Sequence, residues 1–196
     1  MIVSLIVTTY NNPNMLRLCL MSVAIQTRIP DEVIVADDGS TDETRILIED
    51  IAKNFPCPLI HAWQEDRGFR AAESRNNALR KCNGEYIIMI DGDIIMERHF
   101  IADHERLAEK GYFVLGSRAK LNPEVSNKLM NGKKKNIHWY SNGVSRRLNA
   151  IYLPWLTPWT KNLYKNNLDK GRTVNMAAFM SDLKAVNGFD SDMVGY

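Results

Sequence analysis

Residues 87–95 read IIMIDGDII, an apolar run that Asp91-Gly92-Asp93 interrupts before the run resumes. Two carboxylates one residue apart repel each other and resist burial, so their place between apolar flanks needs a reason. In an extended segment residues i and i+2 face the same way, and Gly92 lets the backbone bend so that both carboxylates can reach one point. A divalent cation such as Mg²⁺ or Mn²⁺ at that point would relieve the repulsion. Taken alone, however, the Asp-Gly dipeptide favours a solvated turn.

The stretches around this segment alternate between strand and helix patterns. Apolar, β-branched runs predict buried strands, and apolar residues spaced three or four apart predict helices. The alternation requires a largely parallel sheet with right-handed crossovers, which is an α/β fold. The predicted strands are residues 2–9, 32–37, 59–63, 85–91 and 112–116, and the predicted helices are residues 11–26, 70–82, 97–110 and one that begins at a capping box of Ser40 and Glu43 and continues to Phe55.

Polar side chains follow three of these strands at the point where each strand ends. In open parallel sheets, ligands bind beyond the carboxyl ends of the strands, so the sequence predicts a binding site there. Because Ser40 and Glu43 are expected to cap the second helix, the two aspartates before them are not needed as caps. The position of the Asp-Gly-Asp segment at a strand end favours the metal over the turn. The polar residues at this edge are Thr8, Thr9, Tyr10, Asn11, Asp37, Asp38, Asp91 and Asp93.

The bulk composition indicates one globular domain. The 196 residues are 45% hydrophobic and 24% charged, and 25 Lys and Arg against 23 Asp and Glu give a net charge of +2, which does not support nucleic-acid binding. Cys19, Cys57 and Cys82 lack CxxC spacing and predict reduced thiols. Neither a leader nor an apolar run of membrane-spanning length is predicted. The expected location is the cytoplasm, and peripheral contact with a membrane stays open.

Five segments together give the chain a resemblance to a known family. They are VTTYNNP (7–13), VIVADDGSTDET (33–44), RNNAL (75–79), GEYIIMIDGDI (84–94) and VNMAAFMSDLKAVNGFD (174–190). In these segments, which extend over nearly the whole chain, it resembles the family 2 glycosyltransferases, whose GT-A fold is a Rossmann-like, mostly parallel sheet flanked by helices. The last segment resembles the branch that contains galactosyl- and N-acetylgalactosaminyltransferases and chondroitin polymerases.

The resemblance implies a site for a UDP-sugar donor. Asp38 would accept a hydrogen bond from the uracil ring N–H, and the arginines would bind phosphate oxygens, which match the guanidinium fork. Asp93 would bind Mn²⁺ or Mg²⁺ directly, with Asp91 beside it. The implied donor-binding residues are Thr8, Tyr10, Asp38, Arg67, Arg70, Arg75 and Asp91, and the implied metal ligands are Asp91 and Asp93.

The second half of the chain is expected to be an irregular acceptor or lid region. We predict a nucleotide-sugar-binding half over residues 1–116 and an acceptor half of the same domain over 117–196. Residues 117–172 carry KKK (133–135), RR (146–147) and IYLPWLTPW (151–159), in which Trp155 and Trp159 are either packed or sugar-stacking.

The resemblance places Asn175, Met176 and Asp190 on the acceptor side. It also implies a Glu-Asp pair that carries the catalytic base. That pair does not occur by Tyr196, so the base is unassigned and this chain is expected to be slow or inactive in transfer.

The resemblance implies a metal-dependent hexosyltransferase that moves a sugar from a UDP-sugar to a glycan or a lipid-linked acceptor with inversion. Two other classes stay open. One is a module that binds a nucleotide-sugar without turnover. The other is a nucleotidyltransferase, although TTYNNP (8–13) lacks the Gly-rich, basic loop usual in that class.

Overall fold

The computed structural model describes residues 1–133, 137–151 and 174–192. The chain divides into two compact units, one of residues 1–115 with 173–196 and the other of residues 116–172. The first unit contains strands β1 (Val3–Thr9), β2 (Glu32–Asp37), β3 (Leu59–Trp63), β4 (Tyr86–Asp91), β5 (Val114–Leu115) and β8 (Asn175–Phe179), and helices α1 (Pro13–Ala24), α2 (Asp42–Ala52), α3 (Ala71–Lys81), α4 (Phe100–Leu107) and α6 (Met180–Ala185). The second unit contains β6 (Lys120–Leu121), α5 (Pro123–Met130), β7 (Val144–Ser145) and a 3-10 turn (Arg147–Ala150).

The first unit is built on one six-stranded sheet with the order β3-β2-β1-β4-β8-β5. The strands β3, β2, β1 and β4 are parallel to their neighbours, whereas β8 runs antiparallel between β4 and β5. The chain moves outward from β1 to β3 and then returns to the other side of β1 with β4. This reversal of strand order marks the place where open α/β sheets bind ligands. The predicted α/β fold with a mostly parallel sheet is confirmed.

The two faces of this sheet carry separate hydrophobic cores. Val3, Leu5 and Val7 of β1 pack in one core with residues of α1, α2 and α4. Ile6 packs in the other core with residues of α3 and α6, among them Ala78. Successive side chains of a strand point to opposite faces, so a central strand covered on both sides is expected to be mainly apolar on both faces. The uninterrupted apolar runs in β1, β2 and β4 therefore follow from their central position.

The start of α2 differs from the predicted capping box. The helix begins at Asp42 with Thr41 as its N-cap, and no side chain caps it. The Ser40 hydroxyl instead accepts a hydrogen bond of 2.8 Å from the backbone N–H of Asn11. The prediction that Ser40 and Glu43 cap this helix was therefore wrong, because Ser40 joins the β1 and β2 loops to each other. α1 begins as expected, with the Asn12 side chain accepting from the N–H of Met15 and Pro13 in the first turn.

A buried carboxylate ties together the amino end of the sheet. Glu32 in β2 is 5% exposed. It accepts hydrogen bonds from the Ser4 hydroxyl at 2.6 Å, the Asn83 N–H at 2.5 Å and the Asn83 amide at 2.9 Å. Burial raises the pKa of Glu32, but these hydrogen bonds outweigh burial and hold it below its usual value. The tie joins β1, β2 and the turn that precedes β4.

The second unit is small and less regular in its described part. β6 and β7 form an antiparallel pair, and α5 begins at the Asn122 cap, which accepts a hydrogen bond of 2.9 Å from the N–H of Val125. Arg146 has a left-handed backbone conformation with φ 54°. Trp155 and Trp159, proposed above as packed or sugar-stacking residues, lie outside the described residues, as do Lys134 and Lys135.

Candidate functional site

Three parallel strands bring polar side chains together at their carboxyl ends. Thr8 of β1 lies opposite Asp91 of β4 in the sheet register, and Thr9 lies opposite Asp37 of β2. The Thr8 hydroxyl donates a hydrogen bond of 3.1 Å to Asp91 Oδ1. Because β1 lies between β2 and β4, the ends of all three strands form one edge, as the sequence predicts. The structure therefore places the two predicted carboxylate groups on either side of β1.

Asp38 is the buried centre of the β2 side of this site. Its Oδ1 accepts a hydrogen bond of 2.7 Å from the Gln64 side chain, and its Oδ2 accepts one of 2.7 Å from the Arg70 backbone N–H. The Gln64 carbonyl in turn accepts from the Asn77 side chain on α3 at 3.0 Å. Burial raises the pKa of Asp38, and the bonds from Arg70 and Gln64 oppose that rise. Each carboxylate oxygen keeps a second lone pair with which to accept from a ligand.

Asp37 supports the loop beside Asp38 from within the fold. It is fully buried. Its Oδ1 accepts from the Ser40 N–H at 2.8 Å, and its Oδ2 lies 2.8 Å from Nε2 of His61 in β3. The sequence did not identify His61 or Gln64 as partners of these aspartates. His61 lies in β3 and Gln64 directly follows it. Only the pairing of β3 with β2 brings them to these aspartates.

Arg75 and Asp91 form the β4 side of the site. The Arg75 Nη2 lies 3.7 Å from Asp91 Oδ1, and the Arg75 side chain is only 14% exposed. Within the described residues, its buried Nε has no hydrogen-bond partner. Burial lowers the pKa of Arg75, and the nearby carboxylates Asp91 and Asp38 oppose that effect. A largely buried arginine side chain with an unused N–H group is suited to an anionic ligand.

Gly92 has a backbone position that no other residue fits. Its N–H donates to the Thr8 carbonyl oxygen at 2.7 Å. A Cβ at this position would lie 2.6 Å from the same oxygen. The close contact turns the chain after β4, with Asp91 half-buried and Asp93 exposed. Two hard carboxylates suit Mg²⁺ or Mn²⁺ when a diphosphate and water supply the other oxygens. No cluster of three or more His, Cys, Asp or Glu side chains that could hold a metal occurs within residues 1–133, 137–151 and 174–192.

Three other predicted donor residues surround the site with contacts of their own. The Tyr10 hydroxyl donates to Asp66 at 3.0 Å, and this bond raises the pKa of Tyr10. The guanidinium groups of Arg67 and Arg70 lie 2.7 Å from Glu65 and 3.5 Å from Glu73, respectively. Arg70 reaches Asp38 through its backbone N–H rather than its side chain. The structure thus groups Thr8, Asp38, Arg75 and Asp91 closely, and pairs the Arg67 side chain with a glutamate of its own loop.

The predicted acceptor-side residues lie in and after β8. Asn175 is buried, and its Oδ1 accepts from Nε2 of His104 at 2.9 Å. Met176 pairs with Met89 of β4. Asp190 is exposed, and its Oδ1 accepts from the backbone N–H of Asp192 at 3.0 Å. The Asn175 amide therefore serves the fold, while Asp190 stands in a surface loop.

A family model for glycosyl transferase family 2 matches residues 4–180 of the chain. The chain belongs to this family. It is 26% identical to validoxylamine A glucosyltransferase of Streptomyces hygroscopicus subsp. limoneus, over 100% of the chain and 45% of that protein. The finer resemblance to galactosyltransferases and chondroitin polymerases stays a prediction.

Two solved structures share the fold of this chain. The mannosyltransferase PcManGT from Pyrobaculum calidifontis, in complex with GDP-Man and Mn²⁺, is 22% identical with a TM-score of 0.62, over 98% of this chain and 48% of that one. S. aureus TarS 1-349, in complex with UDP-GlcNAc, is 20% identical with a TM-score of 0.58, over 96% and 48%. The family 2 chain thus spans about half the length of these relatives. None of its described helices is long and apolar enough to cross a membrane.

Proposed function

We propose that this family 2 chain binds a UDP-sugar at the carboxyl ends of β1, β2 and β4, for transfer of the sugar to a glycan or lipid-linked acceptor with inversion. The proposal rests on one observation: Asp38 is buried at the end of β2, and the largely buried side chain of Arg75 on α3 lies 3.7 Å from Asp91 at the end of β4. A uridine N–H needs an acceptor and a diphosphate needs a cation, and this edge of the sheet offers both.

The chain's residues would divide the work of donor binding. Asp38 would accept from the uracil N–H through a remaining lone pair, with Thr8 and Tyr10 beside the ring. Arg75 would bind diphosphate oxygens, and Arg67 and Arg70 would do so after leaving their glutamate partners. Asp93, with Asp91, would hold Mn²⁺ or Mg²⁺. When bound, such a cation neutralises negative charge on a departing diphosphate.

Transfer also needs an acceptor hydroxyl in line with the donor's anomeric carbon and a base to remove its proton. We assign donor binding to residues 1–116 and acceptor binding to residues 117–196, with Asn175, Met176 and Asp190 on the acceptor side. Asn175 would act by shaping that side from within, because its amide is bonded to His104. The acceptor is expected to be a glycan or a lipid-linked sugar, reached from the cytoplasm with peripheral contact to a membrane left open.

Calorimetric titration with UDP tests the donor site. We expect Mn²⁺ to strengthen UDP binding, and EDTA or Asp93→Ala to remove that gain. Asp38→Ala should weaken UDP binding by about 1–3 kcal/mol, the cost of leaving a polar partner unpaired. GDP and ADP should compete less well than UDP. Asp50→Ala is the matched control, because Asp50 is an exposed carboxylate on α2 paired with Lys53 and should leave UDP affinity unchanged.

Two results would contradict the proposal separately. UDP affinity that is indifferent to EDTA and to Asp93→Ala would exclude the metal, and GDP that competes as well as UDP would exclude the uracil contact. The release of UDP from a UDP-sugar is then measured with a pool of acceptors. Release that depends on an acceptor indicates transfer, and its absence indicates donor binding without transfer.

A further inference from the structure

The side chain of Asn76 holds the loop that follows α6 against α3. Its Nδ2 donates to the Phe189 carbonyl oxygen at 2.7 Å, and its Oδ1 accepts from the Phe189 N–H at 3.0 Å. The amide thus pairs with both backbone groups of a single residue, as a neighbouring strand would. Nδ2 also lies 3.1 Å from the Ser191 hydroxyl. These bonds hold the loop by the backbone of Phe189 and by the hydroxyl of Ser191.

The loop itself is shaped for this contact. Asn187 and Gly188 both have positive φ angles, 60° and 73°. A Cβ at Gly188 would lie 2.6 Å from the Asn76 Oδ1, so the backbone approaches the amide as closely as a glycine allows. A larger residue at this position would strain the backbone at its positive φ and displace the Asn76 amide. We call the contact between the Asn76 amide and the Phe189 backbone the clamp. Asn76 supplies the amide on α3, and Gly188 lets the loop backbone approach it.

The clamp places an aromatic ring on Arg75, the largely buried arginine of the proposed donor site. The Arg75 Cζ lies 5.9 Å from the centre of the Phe189 ring, within the range of a cation–π contact. Arg75 also approaches Asp91 to 3.7 Å, and its Nε has no hydrogen-bond partner among the described residues. A guanidinium held so loosely by polar groups depends on packing for its direction. Phe189 supplies that packing, and Asn76 holds Phe189.

We propose that Asn76 is a positioning residue for donor binding, which acts by holding Phe189 against Arg75 so that the guanidinium stays directed at Asp91 and the diphosphate. The inference rests on the proposed function, because it takes Arg75 as a phosphate ligand. It makes the loop of residues 187–192 part of the donor site's support, although 113 positions separate Asn76 from Phe189. Movement of this loop would then change donor affinity.

A double-mutant cycle on UDP affinity tests the inference, with calorimetric titration in buffer that contains Mn²⁺. Asn76→Ala should weaken UDP binding about fivefold to tenfold, within the range of coupling between residues in contact. Arg75→Met, which keeps the packing and removes the charge, should weaken it at least as much. The double variant should bind UDP no more weakly than Arg75→Met alone, because Asn76 acts only through Arg75.

A second variant and a matched control separate positioning from stability. Phe189→Leu leaves both backbone bonds to Asn76 in place and removes the ring, so it should weaken UDP binding without adding to Arg75→Met. Asn83→Ala is the control, because Asn83 also clamps another segment with its amide, but at the opposite end of the sheet. It should lower the thermal midpoint and leave UDP affinity unchanged.

Each unfavourable result has a distinct meaning. If Arg75→Met leaves UDP affinity unchanged, Arg75 is not a donor ligand, and both the proposed role of Arg75 and this inference are overturned. If Arg75→Met weakens UDP binding but Asn76→Ala either has no effect or adds fully in the double variant, the inference alone is overturned and the donor site stands. If Asn83→Ala loses as much UDP affinity as Asn76→Ala, the effect of Asn76→Ala reflects general destabilisation, and the inference is overturned.

Discussion

His104 is a buried histidine whose two ring nitrogens have different surroundings. Asn175 Oδ1 can only accept, so the Nε2 of His104 carries the hydrogen of their 2.9 Å bond. The Nδ1 is buried without a partner among the described residues, and the Phe100 ring lies 4.6 Å from the imidazole ring. Burial lowers the pKa of His104 to about 4, although the bond to Asn175 opposes that effect. The folded protein therefore holds this histidine neutral.

This histidine should make folding sensitive to mild acid. Its pKa is about 4 when folded and near 6.5 when unfolded, so its contribution is fully present above pH 6.5 and is lost as the pH falls towards 4. Over that interval the free energy of unfolding should fall by about 3 kcal/mol from this group. His104→Gln should remove most of the slope. Urea denaturation at several pH values between 7.5 and 4.5 measures it.

His99 is the matched control for this measurement. Its side chain is about one third exposed in the turn before α4, so His99→Gln makes the same substitution outside the core and measures the effect of the substitution itself. The interpretation of His104 would be wrong if His104→Gln and the wild type lost stability in parallel between pH 6.5 and 4.5.

Single residues also show which contacts a sequence reveals. The positions of the carboxylates at the ends of β2 and β4 could be predicted, because a polar residue that follows a buried apolar run is expected where the strand leaves the core. Gln64 and His61 could not be assigned to Asp38 and Asp37, since their contacts depend on the pairing of β2 with β3. Strand pairing is a tertiary interaction, and local sequence patterns do not determine which strands pair.

At the scale of elements, the Glu32 tie holds the amino ends of two strands and the turn before β4. Glu32→Ala removes the acceptor of three buried or partly buried hydrogen-bond donors, one from Ser4 and two from Asn83. We expect a loss of about 3 kcal/mol in the free energy of unfolding, since unpaired buried polar groups cost about 1–3 kcal/mol each and water reaches some of them. Denaturant titration at pH 7 measures the change.

Glu49→Ala serves as the comparison for Glu32→Ala. Glu49 is 61% exposed and pairs with Arg45 on the surface of α2, where such pairs contribute little. Its loss should change stability by less than about 0.5 kcal/mol. Similar losses for the two variants would show that Glu32 is not a structural tie.

Elements also show where sequence patterns fail. The strands β1 to β4 lie within a residue of their predicted bounds, and in β1, β2 and β4 the runs of buried apolar residues explain why. The helix predicted over residues 97–110 is shorter, Phe100–Leu107, and its start is displaced by a turn in which the Glu97 side chain accepts from the N–H of His99. β8 was not predicted as a strand at all. Its five residues, NMAAF, resemble a helix as closely as a strand, and the open edge of β4 decides the outcome.

At the scale of the molecule, the sheet is completed by a segment far along the chain. β8 pairs with β4 along Tyr86–Ile90 and with β5 at Val114 and Leu115. A fragment of residues 1–116 would expose the apolar edge of β4, and we expect it to aggregate. A chain in which a short Gly-Ser turn joins Leu115 directly to Val174 should be monomeric and bind UDP, because Leu115 and Met176 are antiparallel partners.

Size-exclusion chromatography, circular dichroism and UDP titration on the two proteins measure this difference. The full chain is the reference for each measurement. A soluble, folded fragment of residues 1–116 would show that β8 is dispensable. Loss of UDP binding in the joined chain would show that residues 116–173 contribute to the donor site.

The late position of β8 also has a consequence for synthesis on the ribosome. Four parallel strands and their helices emerge first, but the nascent chain cannot close the β4 edge until residues 175–179 have left the exit tunnel. During that interval the growing protein presents an unpaired apolar strand to the crowded cell. Chaperones that bind extended hydrophobic segments would therefore find their target in Tyr86–Ile90, from the time this segment leaves the tunnel until residues 175–179 have followed it.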